Sequence, residues 1–265
     1  MPRREVGDMG HRQEMTDLNL RASDQMGLWD HVGELRSRVL VSFGFFIFAV
    51  LVFFSQGYVL LALLEVPARG VIREFIFTAP TEAFTTYFKV VLLASFIVSF
   101  PVMLYQFWAF VAPAMPRKSR LTVSIWFLFA LASFIGGIAF AYSVLLPSAF
   151  SFLVAFGQGI ATPMISLSEY ISFAVAIIFM GGIVFEIPCV MGILTEVGIL
   201  NTRILCSSRR YAILIIFILA AIITPTQDPF NMIIFVIPMV LLFEFGVMIC
   251  RVIENRKSHT LQEKV

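Results

Sequence analysis

The residue that most constrains this fold is Glu186, a single carboxylate inside the apolar run Tyr170–Leu194. The run is long enough to cross a bilayer, and Glu186 lies roughly 12 Å from its C-terminal end at the helical rise. A charge at that depth is costly, so such residues normally face a bundle interior or a wet cavity. We therefore expect the rest of the chain to supply helices that shelter Glu186.

Composition places the chain among membrane proteins. Of its 265 residues, 59% are hydrophobic and 14% are charged, whereas soluble domains are about 45–50% apolar and about 25% charged. We predict an all-α polytopic membrane protein. The net charge of +2 is too small to indicate a nucleic-acid partner. The three cysteines have no metal-binding spacing, and the chain has no nucleophile–base pair and no phosphate loop, so we predict no metal, no cofactor and no catalytic residue.

Six apolar runs predict six transmembrane helices. A span needs about 20 apolar residues, and the fifth run is shorter than that. If it spans the membrane, either the bilayer is thinner beside it or water reaches its ends. The runs are Val39–Phe54, Val90–Val111, Leu121–Leu146, Tyr170–Leu194, Tyr211–Ile223 and Met232–Cys250.

The distribution of positive charge predicts the topology. All but three of the 19 Lys and Arg residues fall in the tails or in alternate connections, which places both termini in the cytoplasm. We expect a largely disordered cytoplasmic tail at 1–27, a membrane domain at 28–253 and a cytoplasmic C-terminal tail at 254–265. The N-terminus lacks a secretory signal and is too acidic for a transit peptide, which favours a bacterial inner membrane.

Local signals refine the spans. A short interfacial helix is expected at Val59–Leu64, and the segment Thr78–Glu82 is typical of a helix start, with proline and an acid in the first turn. Pro101, Pro188 and Pro238 remove helix donors from the second, fourth and sixth spans. The pairs at 136–137 and 181–182 are glycines, which permit close helix approach.

Three polar side chains stand inside the spans: Gln106, Glu186 and Glu244. Glu186 and Gln106 both fall in the cytoplasmic half by residue count, so a hydrogen bond between them is expected. Glu186 either has a functional role or is a protonated carboxylate that supports the structure. Gln106 either has a functional role or makes a hydrogen bond between two helices. Glu244 is either functional or, because it is close to the interface, simply solvated.

A dense polar cluster precedes the first span. It runs from His31 to Arg38, and Glu34 is spaced for i,i+4 pairing with Arg38 on an amphipathic helix. Taken alone, this cluster indicates only an interfacial helix anchored by positive charge. The basic loop at 112–120 has the same simple interpretation, that it sets the topology.

Further motifs follow at compatible spacing over roughly residues 28–250. In order along the chain, the set resembles the TatC subunit of the twin-arginine protein translocase. The motifs are His31-x-x-Glu34-Leu-Arg36-x-Arg38, Pro80-Thr-Glu82-Ala-Phe84, Phe100-Pro101-x-x-x-Tyr105-Gln106-x-Trp108-x-Phe110, Gly137-x-x-Phe140-x-Tyr142, Phe185-Glu186-x-Pro188, Thr224-Pro225 with Asp228-Pro229, and Phe243-Glu244.

The resemblance implies a cupped six-helix fold and a cytoplasmic docking site for signal peptides that carry an Arg-Arg pair. Glu34 would accept the guanidinium groups, because arginine needs anionic, bidentate acceptors. Arg36 would orient Glu34 or hold the helix, and Phe110 with the following loop would form part of the floor. Glu186 and Gln106 would lie on the concave wall, where the signal peptide and single-span subunits of the TatA and TatB type bind.

The chain departs from the family in the loop after Pro113. The family usually has a glutamate there, and this chain has Ser119 beside Arg120. Recognition of the Arg-Arg pair then either depends on Glu34 together with another acid such as Asp30, or it selects signal peptides less strictly. On the outer side, Asp228 would come within reach of an inserted signal peptide, or it caps its own turn.

The function predicted is a non-enzymatic receptor and scaffold of a protein export system, oligomeric with itself and its partners, and driven by the transmembrane potential. Two alternatives remain open. The intramembrane carboxylate and the proline-interrupted helices also suit a proton-coupled small-molecule transporter, although no repeat relates the two halves. A structural membrane anchor would need neither Glu34 nor Glu186.

Overall fold

The computed structural model describes residues 33–72, 75–111, 120–157, 164–223 and 229–262. Within these ranges, five helices are long and apolar enough to cross a membrane. The predicted all-α polytopic fold is confirmed. The predicted tail at 1–27 lies outside the described residues. The five helices are Gly33–Phe54, Glu82–Phe110, Ser124–Gly157, Leu167–Val197 and Met232–Arg256.

Helix α1 (Gly33–Phe54) is followed after a two-residue turn by the short helix α2 (Gly57–Glu65). Helix α2 contains the short helix predicted at Val59–Leu64, and its place at the membrane interface stays a prediction. The hydroxyl groups of Tyr142 and Tyr170 donate to the carbonyl groups of Leu63 and Leu64, at 2.8 and 2.7 Å. The bond to Leu64 occupies a carbonyl at the end of this short helix, and the bond to Leu63 adds to the one that its carbonyl accepts from the amide of Val66.

Helix α3 (Glu82–Val111) begins where the sequence predicts and continues through Pro101. Helix α10 (Pro229–Gln262) likewise continues through Pro238 and extends over most of the predicted C-terminal tail. Each of these prolines removes one donor without ending its helix, because the surrounding turns keep their bonds.

Helix α4 (Arg120–Phe140) continues through a π-helical segment, Ala141–Leu145, into helix α5 (Leu146–Gly157). The third predicted span ends at Leu146, so the helix is longer than its apolar run indicates. Helix α5 has a packing reason to continue, since the ring of Phe150 lies edge-on to that of Tyr170 with centroids 4.9 Å apart.

The fourth span is divided by a two-residue turn. Helix α6 (Leu167–Val184) ends at Phe185, and helix α7 (Ile187–Val197) starts after Glu186 with Pro188 in its first turn. Helix α7 packs most extensively against α10. The predicted close approach of glycines is confirmed, because a Cβ atom on Gly137 would lie 2.5 Å from the carbonyl oxygen of Gly181.

The short fifth run forms helix α9 (Arg209–Ile223), which follows the short helix α8 (Thr202–Ser207). The two helices are separated by Ser208, whose amide donates to the carbonyl of Ile204 at 3.0 Å. Helix α9 covers roughly 22 Å at the helical rise, which is shorter than the hydrocarbon core, as its apolar run predicts.

A buried carboxylate joins the N-terminal ends of α3 and α6. Glu82 is 5% exposed, and its Oε2 accepts from the amide of Thr78 at 2.7 Å and from the hydroxyl of Thr78 at 2.8 Å. Its Oε1 accepts from the hydroxyl of Ser166 and from the amide of Ser168 at 2.9 Å. The negative charge therefore lies at the positive dipole ends of two helices.

We expect Glu82→Gln to lower the free energy of unfolding by about 3 kcal/mol, because an amide presents an NH₂ group to donors and loses charge-assisted bonds. The measurement is the melting temperature in detergent. The matched control is Glu169→Gln, which removes an exposed carboxylate from the first turn of the same α6. Equal melting temperatures for the two variants would contradict this role for Glu82.

Candidate functional site

The first polar cluster joins α1 to α3. The Glu34 Oε1 atom accepts from Nε and Nη2 of Arg38, at 3.0 and 2.6 Å. The Arg38 Nη1 atom donates to Oε1 of Gln106 at 3.3 Å. The predicted i,i+4 pair between Glu34 and Arg38 is confirmed, and Arg38 also connects it to a residue inside the second span.

An open apolar groove adjoins this cluster between α1 and α3, with a cavity volume of about 280 Å³. The Glu34 side chain, 39% exposed, is more accessible than that of Arg38, which is 25% exposed. The apolar groove thus adjoins a partly exposed carboxylate. The groove is lined by Leu35, Arg38, Val39, Ser42, Phe43, Met103, Gln106, Phe107 and Phe110.

The structure locates some of the predicted site residues and not others. Phe110 lines the groove, as expected of part of a floor. Arg36 is exposed on α1, and the bonds to Glu34 come from Arg38. Arg120 begins α4. Ser119 and Asp228 lie outside the described residues.

Sequence reasoning left Arg38 out of the site. Arg36 is the residue that the resemblance assigns to orienting Glu34 or holding the helix, although a residue two positions from Glu34 points to a different side of a helix. The i,i+4 spacing of Glu34 and Arg38 was the signal that identifies the partner. The bond from Arg38 to Gln106 joins different helices and has no local signal.

Glu186 occupies the turn between α6 and α7, where the amide of Glu186 donates to the carbonyl of Ile183 at 3.0 Å. Its Oε1 atom is buried and has no hydrogen-bond partner within the described ranges. The predicted bond from Glu186 to Gln106 is not present there, and the Oε1 atom of Gln106 accepts from Arg38.

The surroundings of Glu186 are open on one side. Ile183 and Val190, three residues before it and four after it, are 40% and 49% exposed. These spacings place both residues on the side of the helix that carries Glu186. The carboxylate therefore lies in an apolar stripe that reaches the protein surface.

Glu244 is not simply solvated, because its Oε2 accepts from Nη2 of Arg209 at 2.8 Å. The two side chains are 40% and 43% exposed and join α10 to the start of α9. The second intramembrane glutamate thus has a cationic partner within the chain, whereas Glu186 has none among the described residues.

A family model described as Sec-independent protein translocase protein (TatC) matches residues 30–238. The chain belongs to the TatC family. It is therefore a multi-pass component of a protein translocase rather than an enzyme, which favours the translocase over the small-molecule transporter.

Relatives and solved structures agree with the assignment. The Sec-independent protein translocase protein TatC of Deinococcus radiodurans is 36% identical, with 85% of this chain and 86% of that protein covered. That of Aquifex aeolicus is 34% identical, with 88% and 98% covered. A crystal structure of the twin arginine translocase receptor TatC matches with a TM-score of 0.78 at 33% identity, covering 84% of this chain and 99% of that one. The predicted six-helix TatC-like fold is confirmed.

The Arg38 bridge generates a stability prediction. We expect Arg38→Gln to lower the free energy of unfolding by about 1.5–3 kcal/mol, since it removes charge-assisted bonds from Glu34. Arg36→Gln removes the same charge from an exposed position of α1 and should change it by less than about 0.5 kcal/mol. Melting temperatures in detergent test this difference, and a larger effect of Arg36→Gln would show that Arg36 is the orienting residue.

Proposed function

We propose that this protein is the receptor and scaffold of a twin-arginine export system, and that it binds the signal peptides of folded cargo at the α1–α3 groove. The observation that carries the proposal is the partly exposed carboxylate of Glu34 beside an open apolar groove. A peptide with arginines beside an apolar segment has the matching chemistry. The similar crystal structure is described as that of a twin arginine translocase receptor.

The chemistry of the cluster favours arginine over lysine. A guanidinium group presents a planar fork of donors that suits a carboxylate in bidentate geometry, whereas an ammonium group is a point charge. In the proposed complex the peptide guanidinium bonds Glu34, and Arg38, which is itself bonded to Gln106, holds that carboxylate in place. Ser119 and Arg120 would border the site, with Arg36 at its exposed edge and Phe110 in its floor.

We further propose a bacterial inner membrane with both termini in the cytoplasm. Contacts at one end of the bundle support a common side for Glu34, Gln106 and Arg209, since these residues lie at the ends of α1, α3 and α9 away from the Glu82 network. The positive-inside rule assigns that side to the cytoplasm. With no nucleotide-binding loop in the sequence, the transmembrane potential would supply the energy, at about 2.3 kcal/mol per charge per 100 mV.

Glu186 is the proposed contact for partner subunits of the TatA and TatB type. A carboxylate in an apolar stripe at the protein surface is costly unless another polar group covers it. A single-span helix that brings a hydrogen-bond donor to this stripe would satisfy the buried Oε1 atom. Asp228 remains a prediction for the outer side.

The first experiment is photocrosslinking in native-like membranes, with the photoreactive residue at Phe107 in the groove and a control probe at Phe156, an exposed residue near the other end of the bundle. A signal peptide with Arg-Arg should crosslink at Phe107, and a Lys-Lys peptide should crosslink roughly tenfold less, the equivalent of about 1.4 kcal/mol. Glu34→Gln should reduce the Arg-Arg adduct similarly.

The control variant for this experiment is Glu169→Gln, which removes an exposed carboxylate far from the groove and should leave the adduct unchanged. Equal crosslinking of both peptides would leave only a general docking role. Absence of any adduct in folded protein would exclude the receptor function at this groove.

The second experiment measures co-purification of the single-span subunits. Glu186→Leu should reduce the co-purified amount roughly tenfold, because it removes the only carboxylate of the stripe Ile183–Val190. Glu186→Gln keeps hydrogen-bonding capacity and should retain more of the partner. Ile183→Leu is the matched control. Unchanged co-purification of Glu186→Leu would assign Glu186 a purely internal role.

A further inference from the structure

Arg209 and Arg210 follow the break between α8 and α9 and lie farther from the C-terminal end of α10 than Arg251 does. Three contacts align this region with α10: the amide of Thr202 donates to Glu254 at 2.8 Å, Arg251 reaches the sulfur of Cys206 at 3.6 Å, and Arg209 bonds Glu244 at 2.8 Å. As the chain proceeds from Thr202 to Arg209, its partners move back along α10. Helix α8 therefore runs alongside α10 in the direction from Glu254 to Glu244, and α9 begins beside Glu244.

The spacing of residues on α10 gives the distance between the levels of Arg251 and the Arg209–Glu244 pair. Glu244 lies seven residues before Arg251, which is roughly 10 Å along the helix. The residues between them, 245–250, are all apolar or glycine. The Arg209–Glu244 pair therefore lies where the neighbouring helix surface is suited to hydrocarbon.

The charges of Arg209, Arg210 and Glu244 do not sum to zero. Glu244 neutralises Arg209, whose Nε atom is buried without a hydrogen-bond partner among the described residues. The guanidinium of Arg210 lies 4.8 Å from the ring centre of Tyr211 and donates to the hydroxyl of that residue at 3.1 Å. Both are neutral contacts within the chain, and Arg210 is exposed. One positive charge thus remains at the protein surface, below the level of Arg251.

The surface next to Arg210 is apolar. Helix α9 has a broad exposed face that begins directly after Tyr211. A soluble anion would have to enter this apolar layer, whereas a lipid brings its phosphate there together with acyl chains that cover the face. The residues of this face include Ile213, Leu214, Ile215, Phe217 and Ile218.

We propose that Arg210, beside the Arg209–Glu244 pair, binds the phosphodiester group of an anionic phospholipid drawn toward the α8–α9 break. The phosphodiester carries the single negative charge that balances Arg210, and its oxygens match the fork of the guanidinium group. The acyl chains lie along α9. The lipid belongs to the leaflet on the side of Glu34, and this site does not depend on the proposed signal-peptide site.

The experiment uses the full-length protein in nanodiscs of phosphatidylcholine with a minor fraction of phosphatidylglycerol, followed by native mass spectrometry of the lipids that stay bound. The wild-type protein should retain phosphatidylglycerol in preference to phosphatidylcholine. Arg210→Gln should weaken this retention roughly tenfold, as expected for the loss of one charge-assisted hydrogen bond. Arg210→Lys, which keeps the charge without the fork, should have an intermediate effect.

The matched control is Arg203→Gln, which removes the same charge from an exposed position near the start of α8 and should leave retention unchanged. Equal losses in the two variants would reduce the effect to general surface charge and overturn the proposal. A second arm adds inorganic phosphate. Displacement of the lipid by phosphate would assign a soluble-anion site instead, and equal retention of the two lipids in the wild-type protein would exclude an anionic-lipid site.

Discussion

The Glu82 carboxylate fixes the position of two membrane helices relative to each other. It bonds groups at the start of both α3 and α6, so these helices leave one end of the molecule at a fixed relative height. From that end, α3 carries Gln106 roughly 36 Å away and the α6–α7 unit carries Glu186 roughly 30 Å away. The two residues thus differ in height by several ångströms, which is consistent with their lack of a mutual bond.

Several charged groups in the spans have a polar partner within the chain. Arg38 bonds Glu34, Arg209 bonds Glu244, and the ammonium group of Lys89 donates to the hydroxyl of Ser172 at 2.7 Å. Each group has its partner within the chain, as expected where water is scarce. Glu186 has no such partner in the described part of the protein. An acid that the fold leaves unsatisfied is a reasonable point of contact with another molecule.

Sequence reasoning predicted most of the fold because apolar runs, positive charge and helix-start signals act locally. The short helix α2, the start of α3 at Glu82 and the break before Pro188 all follow from neighbouring residues. Contacts between helices were not predictable in this way. The bonds from Arg38 to Gln106 and from Arg209 to Glu244 join residues 68 and 35 positions apart. No short motif encodes them.

The α8–α9 break has a consequence for biosynthesis. As the chain emerges, α9 is made before α10, and its first two residues are arginines that enter hydrocarbon at considerable free-energy cost when unpaired. The carboxylate that neutralises Arg209 belongs to Glu244, in the following helix. The partner of Arg209 is therefore made only with α10, and we expect the last two spans to settle into the bilayer together.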